Sequence, residues 1–530
     1  MGPAHLGPAQ LARLLRLPEP TPEQAAVISA PLGPLAVIAG AGSGKSETMA
    51  ARMVWLVANG MVRPDRVLGL TFTRKAAAEF ADRVRSRLER LRRAGTELPG
   101  PDKPGAAGTE DPFGGDPVIG TYHAYAGRLV SDNALREGLE PSMRLITPAL
   151  SWQLAAQIVA AYDGPMDEII WTPQTVTAAV LELAGDLAEH LRDTSDITAV
   201  GRWLTAEHDA LPGRITAAVR KIITTQRARE QLLPLVSRYA AAKAAREVLD
   251  HGDQVALAAR IASRHPEVGA AERARYQVVL LDEYQDTSHA QLVLLRSLFG
   301  GGHPVTAVGD PCQSIYGWRG ASAGNLRRFT ADFPVVARVR PFGASASSGP
   351  APVLQLSTSF RNSARVLDAA AAIQTELRYE APDVPRLVSA PDRAERGTVS
   401  CALLDTILDE AEWVAAQAAA LLAAGRGIAP DGQPWPEGPA ELSKAAGVRP
   451  SDIAVLCRKR SQFVPLRHAL EARGIPVEVV GLGGLLAVPE VQDVVCTLRV
   501  LHDAGASDAL ARLLTGPRLR IGPRDLVALG

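Results

Sequence analysis

Four short apolar runs, each breaking off into glycine or polar residues, limit what this chain can become: "LAVIAG" (35–40), "VLGLTF" (67–72), "YQVVLLDE" (276–283) and "PVTAVGD" (304–310). Continuous rather than alternating, and followed by helical patterns, they read as strands buried on both faces of a parallel sheet. An α/β core follows, with ligand groups expected at the carboxyl ends of the strands. At 530 residues the chain exceeds one compact core, so several domains are expected.

The stretch between the second and third runs has little strand character. Segments such as "SWQLAAQIVAAYDG" and "TAAVLELAGDLAEHLRD" space their apolar residues by three and four, which predicts a helical insertion over 129–251. A second α/β series starts near 353 with "VLQLS" and continues through "IAVLCR" (453–458) and the strand "IPVEVVG". Stretches 94–117, 340–352 and 424–450 are rich in Pro, Gly and small residues and read as surface insertions.

Lys+Arg and Asp+Glu both number 57, so any polyanion would have to bind a local groove. The basic run "RVRSRLERLRRAG" (83–95) spreads arginines around much of a helix and reads first as a solvated face. Cys312, Cys401, Cys457 and Cys496 have no C-x-x-C spacing, which suggests neither zinc nor disulfides and fits a reducing cytoplasm. With no signal-like start and no apolar run of membrane length, a cytoplasmic protein with no membrane partner is expected.

The first run leads into "AVIAGAGSGKS" (36–46), a P-loop except for Ala39 at its first position. Gly40, Gly42 and Gly44, with Ala41 and Ser43 between them, let backbone N–H groups turn onto phosphate oxygens at a helix N-terminus. Lys45 would reach the β and γ phosphates and Ser46 would ligate Mg²⁺. Far along the chain, "VVLLDEYQDT" sets Asp282 and Glu283 at a strand end. One carboxylate can hold Mg²⁺ while the other orients and deprotonates water, which makes nucleoside triphosphate hydrolysis the expected chemistry. "TFTRKAAAEF" (71–80), "GTYHAYA" (120–126), "GDPCQSIYGWRGA" (309–321) and "TSFRNS" (358–363) are polar and aromatic loops placed after strands.

Together, in this order, these segments resemble the superfamily 1A DNA helicases of the UvrD, Rep and PcrA type, over nearly the whole chain. "PTPEQAAVI", "MAARMVWLVANG" and "GDQVALAARIA" add a likeness to the actinobacterial helicase–nuclease subunit of the AdnB type. The resemblance implies two RecA-like parallel-sheet lobes, the second incomplete, with helical insertions. The expected divisions are 1–128 and 252–350 (first lobe), 129–251 (its insertion), 351–481 (second lobe) and 482–530 (start of another insertion). It implies that Gln24 reads adenine, making ATP the nucleotide, that Phe360 stacks on the base, that Gln313 senses the γ-phosphate, and that Arg361 contacts it. Glu47 stands where many relatives carry Arg or Thr, beside the adenine contacts.

For single-stranded DNA and single/double-strand junctions, Phe72, Tyr122, His123, Tyr316 and Trp318 are candidates to stack on bases, each ring having a core role as its alternative. Thr73, Arg74, Lys75 and Arg319 are candidates for phosphate contacts, with solvated surface as their alternative. By the resemblance, movement is 3′ to 5′ in repair or recombination, with a helicase–nuclease partner subunit possible. The rival function is a non-motor ATP-binding subunit that stabilises such a complex. The family's "LHSAKGLE"-like and "VAVTRA"-like segments do not occur, so an amino-terminal piece with weak hydrolysis of its own is expected.

Overall fold

The computed structural model describes residues 6–93, 115–210, 216–317, 320–322, 324–336, 348–380, 384–395, 397–424, 448–480, 489–503 and 505–529. The chain divides into two units, 1–399 and 400–530.

All four apolar runs form strands of one parallel sheet in the first unit. Its strands are β1 (Leu35–Ala39), β2 (Val67–Thr71), β3 (Val118–Thr121), β4 (Val278–Leu281), β5 (Val305–Gly309) and β6 (Val353–Leu356), in the spatial order β6-β1-β5-β4-β2-β3. The run strands β1, β2, β4 and β5 are buried throughout, whereas the edge strand β3 is not. Successive side chains enter opposite cores: Leu68, Leu70, Val279 and Leu281 face one, Val67, Val278 and Leu280 the other. Two buried faces explain why the sequence shows runs rather than alternation.

The second of these cores is covered by α1 (Pro8–Leu14), α2 (Pro22–Ile28), α3 (Lys45–Ala58) and α4 (Arg74–Arg93). A fully buried arginine ties α2 to α3. Arg52 donates to the carbonyls of Val27 (2.9 Å), Ile28 (3.2 Å), Ala30 (2.8 Å) and Pro31 (3.2 Å) and to Thr306 Oγ1 (3.2 Å). Burial lowers its pKa to about 10, and these acceptors at the carboxyl end of α2 replace the water it loses.

As expected, a helical insertion interrupts the sheet. Helices Pro148–Ala160, Pro173–Glu189, Thr194–Ala210 and Ala217–Ala244 lie within it. Leu154, Val180, Leu235 and Tyr239 belong to a core of its own. Its two ends meet in a short parallel ladder, Arg144–Leu145 with Val248–Leu249. At its foot, buried Lys243 pairs with Asp250 (2.6 Å) and Asp253 (2.5 Å).

Two details of the expected second series differ. Val353–Leu356, expected to open that series, pairs in parallel with β1 and closes the edge of the first sheet (Val37 opposite Leu354). An apolar run reveals that a strand is buried but not which neighbour buries it. Residues 453–457 and 475–479, expected as strands, have no ladder partner among the described residues. A ladder needs a neighbour, and Leu456 is 96% exposed. The described part of the second unit is helical: Ile407–Ala424 packs on Phe463–Ala472 through Ala411, Ala415, Ala418 and Leu470, and Pro489–His502, Ser507–Thr515 and Pro523–Leu529 follow. Most of the three Pro/Gly-rich stretches (94–114, 340–347 and 425–447) lies outside the described residues, as does 481–488 at the expected start of the last insertion.

Candidate nucleotide site and neighbouring loops

At the carboxyl end of β1 the chain turns through Gly42 (φ 77°) and Gly44 (φ 80°) into α3. Both angles lie in the left-handed region, where an L side chain is strained. At Gly42 space also forbids one, because a Cβ would stand 2.6 Å from Arg361 Cβ. The segment after β6 sits directly on this turn: Phe360 N–H donates to Gly42 O (2.9 Å), Ser359 Oγ to Ala41 O (2.9 Å) and Asn362 Nδ2 to Ala41 O (3.4 Å). Ser357 is held in turn by Glu23, whose carboxylate accepts from its N–H (2.8 Å) and its hydroxyl (2.5 Å).

On the other side of the turn, Gln24 caps its own helix. Its Oε1 accepts from Thr21 N–H (3.1 Å), while its Nε2 donates to Ser43 O (3.2 Å). Gln24, Ala41, Gly42, Ser43, Phe360 and Arg361 are thus brought together from three distant segments. Phe360 is 42% exposed and Arg361 is exposed.

Lys45 and Ser46, in the first turn of α3, meet the end of β4. Lys45 Nζ lies 3.4 Å from Glu283 Oε2, and Ser46 Oγ donates to Asp282 Oδ2 at 3.4 Å. Asp282 is buried, and burial followed by the neighbouring Glu283 pushes its pKa up to about 6. A carboxylate raised in this way is relieved by a cation. Among the described residues no group of three or more His, Cys, Asp or Glu is arranged to hold a metal. A hydroxyl and one carboxylate nevertheless suit Mg²⁺, which keeps most of its ligands as water and phosphate.

Glu283 has a left-handed backbone (φ 52°) and begins a hydrogen-bonded chain that runs to the loop after β5. Gln285 Nε2 donates to Glu283 Oε2 (2.8 Å), and Gln285 Oε1 accepts from Asp310 N–H (3.0 Å). Asp310 Oδ2 then accepts from Gln313 Nε2 (2.6 Å), and Ser314 Oγ donates to Gln285 O (3.2 Å). Gln285 and Asp310 were missed in the sequence. The available signal was their place inside the quoted loops "DEYQDT" and "GDPCQS". Asp286, also missed, has its pKa pushed up to about 6 by burial and by Glu283.

The candidate strand-contacting residues are less uniform. Phe72 is half-buried, with its ring 5.0 Å from that of Tyr122. Tyr122 is buried and donates to the carbonyl of Asp282 (3.1 Å), which gives it the core role held open as its alternative. Burial above all raises its pKa well above the ordinary value. His123 is half-buried, 5.5 Å edge-on from His251. Thr73, Arg74 and Lys75 are exposed at the start of α4, and Tyr316 is half-buried beyond Gln313. Trp318 and Arg319 lie outside the described residues.

Glu47 faces α4. Its carboxylate takes a hydrogen bond from Arg87 and lies 3.8 Å from Arg83. Arg87 belongs to the basic run expected to form a solvated face, yet it is 6% exposed. Its neighbours Phe80, Val84, Leu88 and Leu91 are spaced by three and four, and Arg87 falls within their apolar stripe. That spacing was legible and went unused.

Residues 20–334 match the UvrD/REP helicase N-terminal domain, and residues 354–529 match the UvrD-like helicase C-terminal domain. Among curated proteins the chain is similar to the ATP-dependent DNA helicase UvrD1 of Mycobacterium tuberculosis, at 27% identity over 98% of this chain and 56% of that protein. It is also similar to the ATP-dependent DNA helicase PcrA of Leuconostoc citreum (23%; 96% of this chain, 56% of that protein). A third relative is a probable DNA helicase II homolog of Rickettsia felis (25%; 95% and 64%). The chain thus spans little more than half the length of the first of these relatives. No helix among the described residues is long and apolar enough to cross a membrane.

Proposed function

Because the chain belongs to the UvrD/REP helicase family, we propose that it forms part of an ATP-dependent motor that moves 3′ to 5′ on single-stranded DNA in repair or recombination. The observation that carries this is the unbroken path from Lys45 through Glu283, Gln285 and Asp310 to Gln313, three residues before Tyr316. It joins a phosphate-binding turn to a loop suited to hold DNA.

On this reading the backbone N–H groups of the Gly42–Gly44 turn bind the phosphates and Lys45 exchanges its Glu283 partner for the terminal ones. Ser46 and Asp282 would hold Mg²⁺, which neutralises charge on the β and γ phosphates. Released from Lys45, Glu283 orients the attacking water and accepts its proton, while Gln285 keeps hold of the carboxylate. Arg361 supplies the guanidinium that stabilises charge in the transition state. Gln24 and Phe360 hold the base by one edge and one face.

Coupling uses the same chain of bonds. When Glu283 changes partner, Gln285 is re-aimed, and with it the Asp310–Gln313 pair that carries the loop of Tyr316. Occupancy of the pocket then alters grip on the strand.

A fluorescence titration of a labelled single-stranded oligonucleotide tests this with the nucleotide site empty, loaded with a non-hydrolysable triphosphate, or loaded with diphosphate. Affinities should differ at least severalfold between states. Equal affinities would leave the rival function, an ATP-binding subunit without a motor.

A further inference from the structure

One contact beside the glycine turn serves none of the steps proposed above. Glu23, in the first turn of α2, reaches Ser357 across 334 residues of sequence, and its carboxylate accepts from both the N–H (2.8 Å) and the hydroxyl (2.5 Å) of that residue. Bonds to an ionised acceptor are the strong ones, and a carboxylate that takes both donors of one residue fixes its backbone as well as its side chain. Ser357 opens the segment that carries Arg361.

The rest of that segment is tied on two further sides. Phe360 N–H and Ser359 Oγ bond to the carbonyls of Gly42 and Ala41. Thr358–Ser359 also pairs in parallel with Val388–Ser389, and Ser389 Oγ donates to Asn362 O (2.7 Å). The Arg361 side chain is exposed, so the reach of its guanidinium is set by how its backbone is held. Of these ties, the one to Glu23 has the ionised acceptor, and it anchors the segment to α2. Arg52 in turn fastens α2 to α3, the helix that Lys45 begins. Lys45 and Arg361 thus hang from one frame.

We infer that Glu23 is a positioning residue for Arg361: by clamping Ser357 it sets the guanidinium against the terminal phosphate, in register with Lys45. This rests on the role proposed for Arg361. Glu23 acts through Ser357 and not on the nucleotide, so its loss is felt where a phosphate has to meet a fixed charge.

Calorimetric titration with Mg²⁺–ADP and with Mg²⁺–adenylyl imidodiphosphate, a non-hydrolysable triphosphate, measures the preference for a terminal phosphate without requiring turnover. Arg361→Ala should lower that preference about tenfold or more, the value of one hydrogen bond to a charged group. Glu23→Ala should lower it about threefold or more while ADP affinity stays within about twofold, which also reports that the site is folded. Ser357→Ala, which keeps the N–H donor, and Glu23→Gln, which keeps an acceptor, should each lower it less. Because the two residues act in one line, Glu23→Ala should add nothing in the Arg361→Ala background. An unchanged preference in Glu23→Ala, with Arg361→Ala impaired, overturns the inference and leaves Glu23 a packing contact. An equal loss for both nucleotides in Glu23→Ala also overturns it, as does a further loss in the double variant. If Arg361→Ala itself leaves the preference unchanged, the role proposed for Arg361 falls and that of Glu23 with it; a wild-type chain that binds neither nucleotide removes the nucleotide reading.

Discussion

The glycine turn with its carboxylates and the loop that opens α4 lie at the carboxyl ends of strands in one parallel sheet, yet they are built to opposite standards of order. Lys45, Ser46, Asp282, Glu283, Gln285, Asp310 and Gln313 are tied to one another by side-chain contacts, and a second segment is bonded onto the glycine turn. Thr73, Arg74 and Lys75 stand in solvent, and the exposed ion pair of Lys75 with Glu79 spans 3.9 Å. The contrast suits the two tasks proposed above. Hydrolysis needs dipoles fixed before charge develops, whereas a grip that must release at each step gains from side chains whose order the ligand supplies.

The sharpest way to break this contrast is Glu283→Gln. If Glu283 is the base, its loss should lower DNA-stimulated turnover about 10³-fold. Turnover that survives would mean that the ordered end is not the hydrolytic one.

Arg52→Met probes how the ordered end is supported. It leaves the carbonyls of Val27, Ile28, Ala30 and Pro31 without their donor, and the 1–399 unit should lose about 3 kcal/mol in urea denaturation. A loss below about 0.5 kcal/mol would show that Arg52 is not the clasp of α2 and α3.

Phe72→Ala addresses the other region. If its half-buried ring stacks on a base, oligonucleotide affinity should fall by about 1–3 kcal/mol with ATP affinity unchanged. A variant that loses only thermal stability would return Phe72 to the core beside Tyr122.

The smallest effect is the most specific. Asp282 is raised to about 6, so below that pH the folded chain holds a proton where the proposed Mg²⁺ would bind. Mg²⁺-dependent nucleotide affinity should decline as pH falls from 7 through 6, and Asp282→Asn should lose this dependence. For folding the sign is opposite: burial of the charged form costs stability above pH 6, and that cost is relieved between about 6 and the ordinary carboxylate value. Affinity that is flat from pH 7 to 5 would separate Asp282 from the metal.

How much could be read in advance depended on distance along the chain. The four buried runs, the glycine turn before Lys45 and the acidic pair at 282–283 are local patterns, and the structure places each where the pattern put it. The helical insertion was equally legible, because a spacing of three and four is a property of the segment alone. The roles of Phe72 and Tyr122 were not separable, since half-buried and buried rings carry the same letters; only packing distinguishes the Tyr122 hydroxyl bonded to Asp282 from a ring open to a ligand.

The sequence by itself determined the identity of the central strands, the turn at the end of the first and the chemistry offered there, because burial on two faces and a glycine-only backbone leave local signatures. Only the tertiary structure decided that 353–356 joins the first sheet, that Ser359 and Asn362 seat on Ala41, that Gln285 bridges Glu283 to Asp310, and that Arg87 turns inward to Glu47. Apart from the Gln285–Glu283 bond, those are choices among partners tens to hundreds of residues apart. They are settled by which surfaces fit once the chain is compact, and no local periodicity records them.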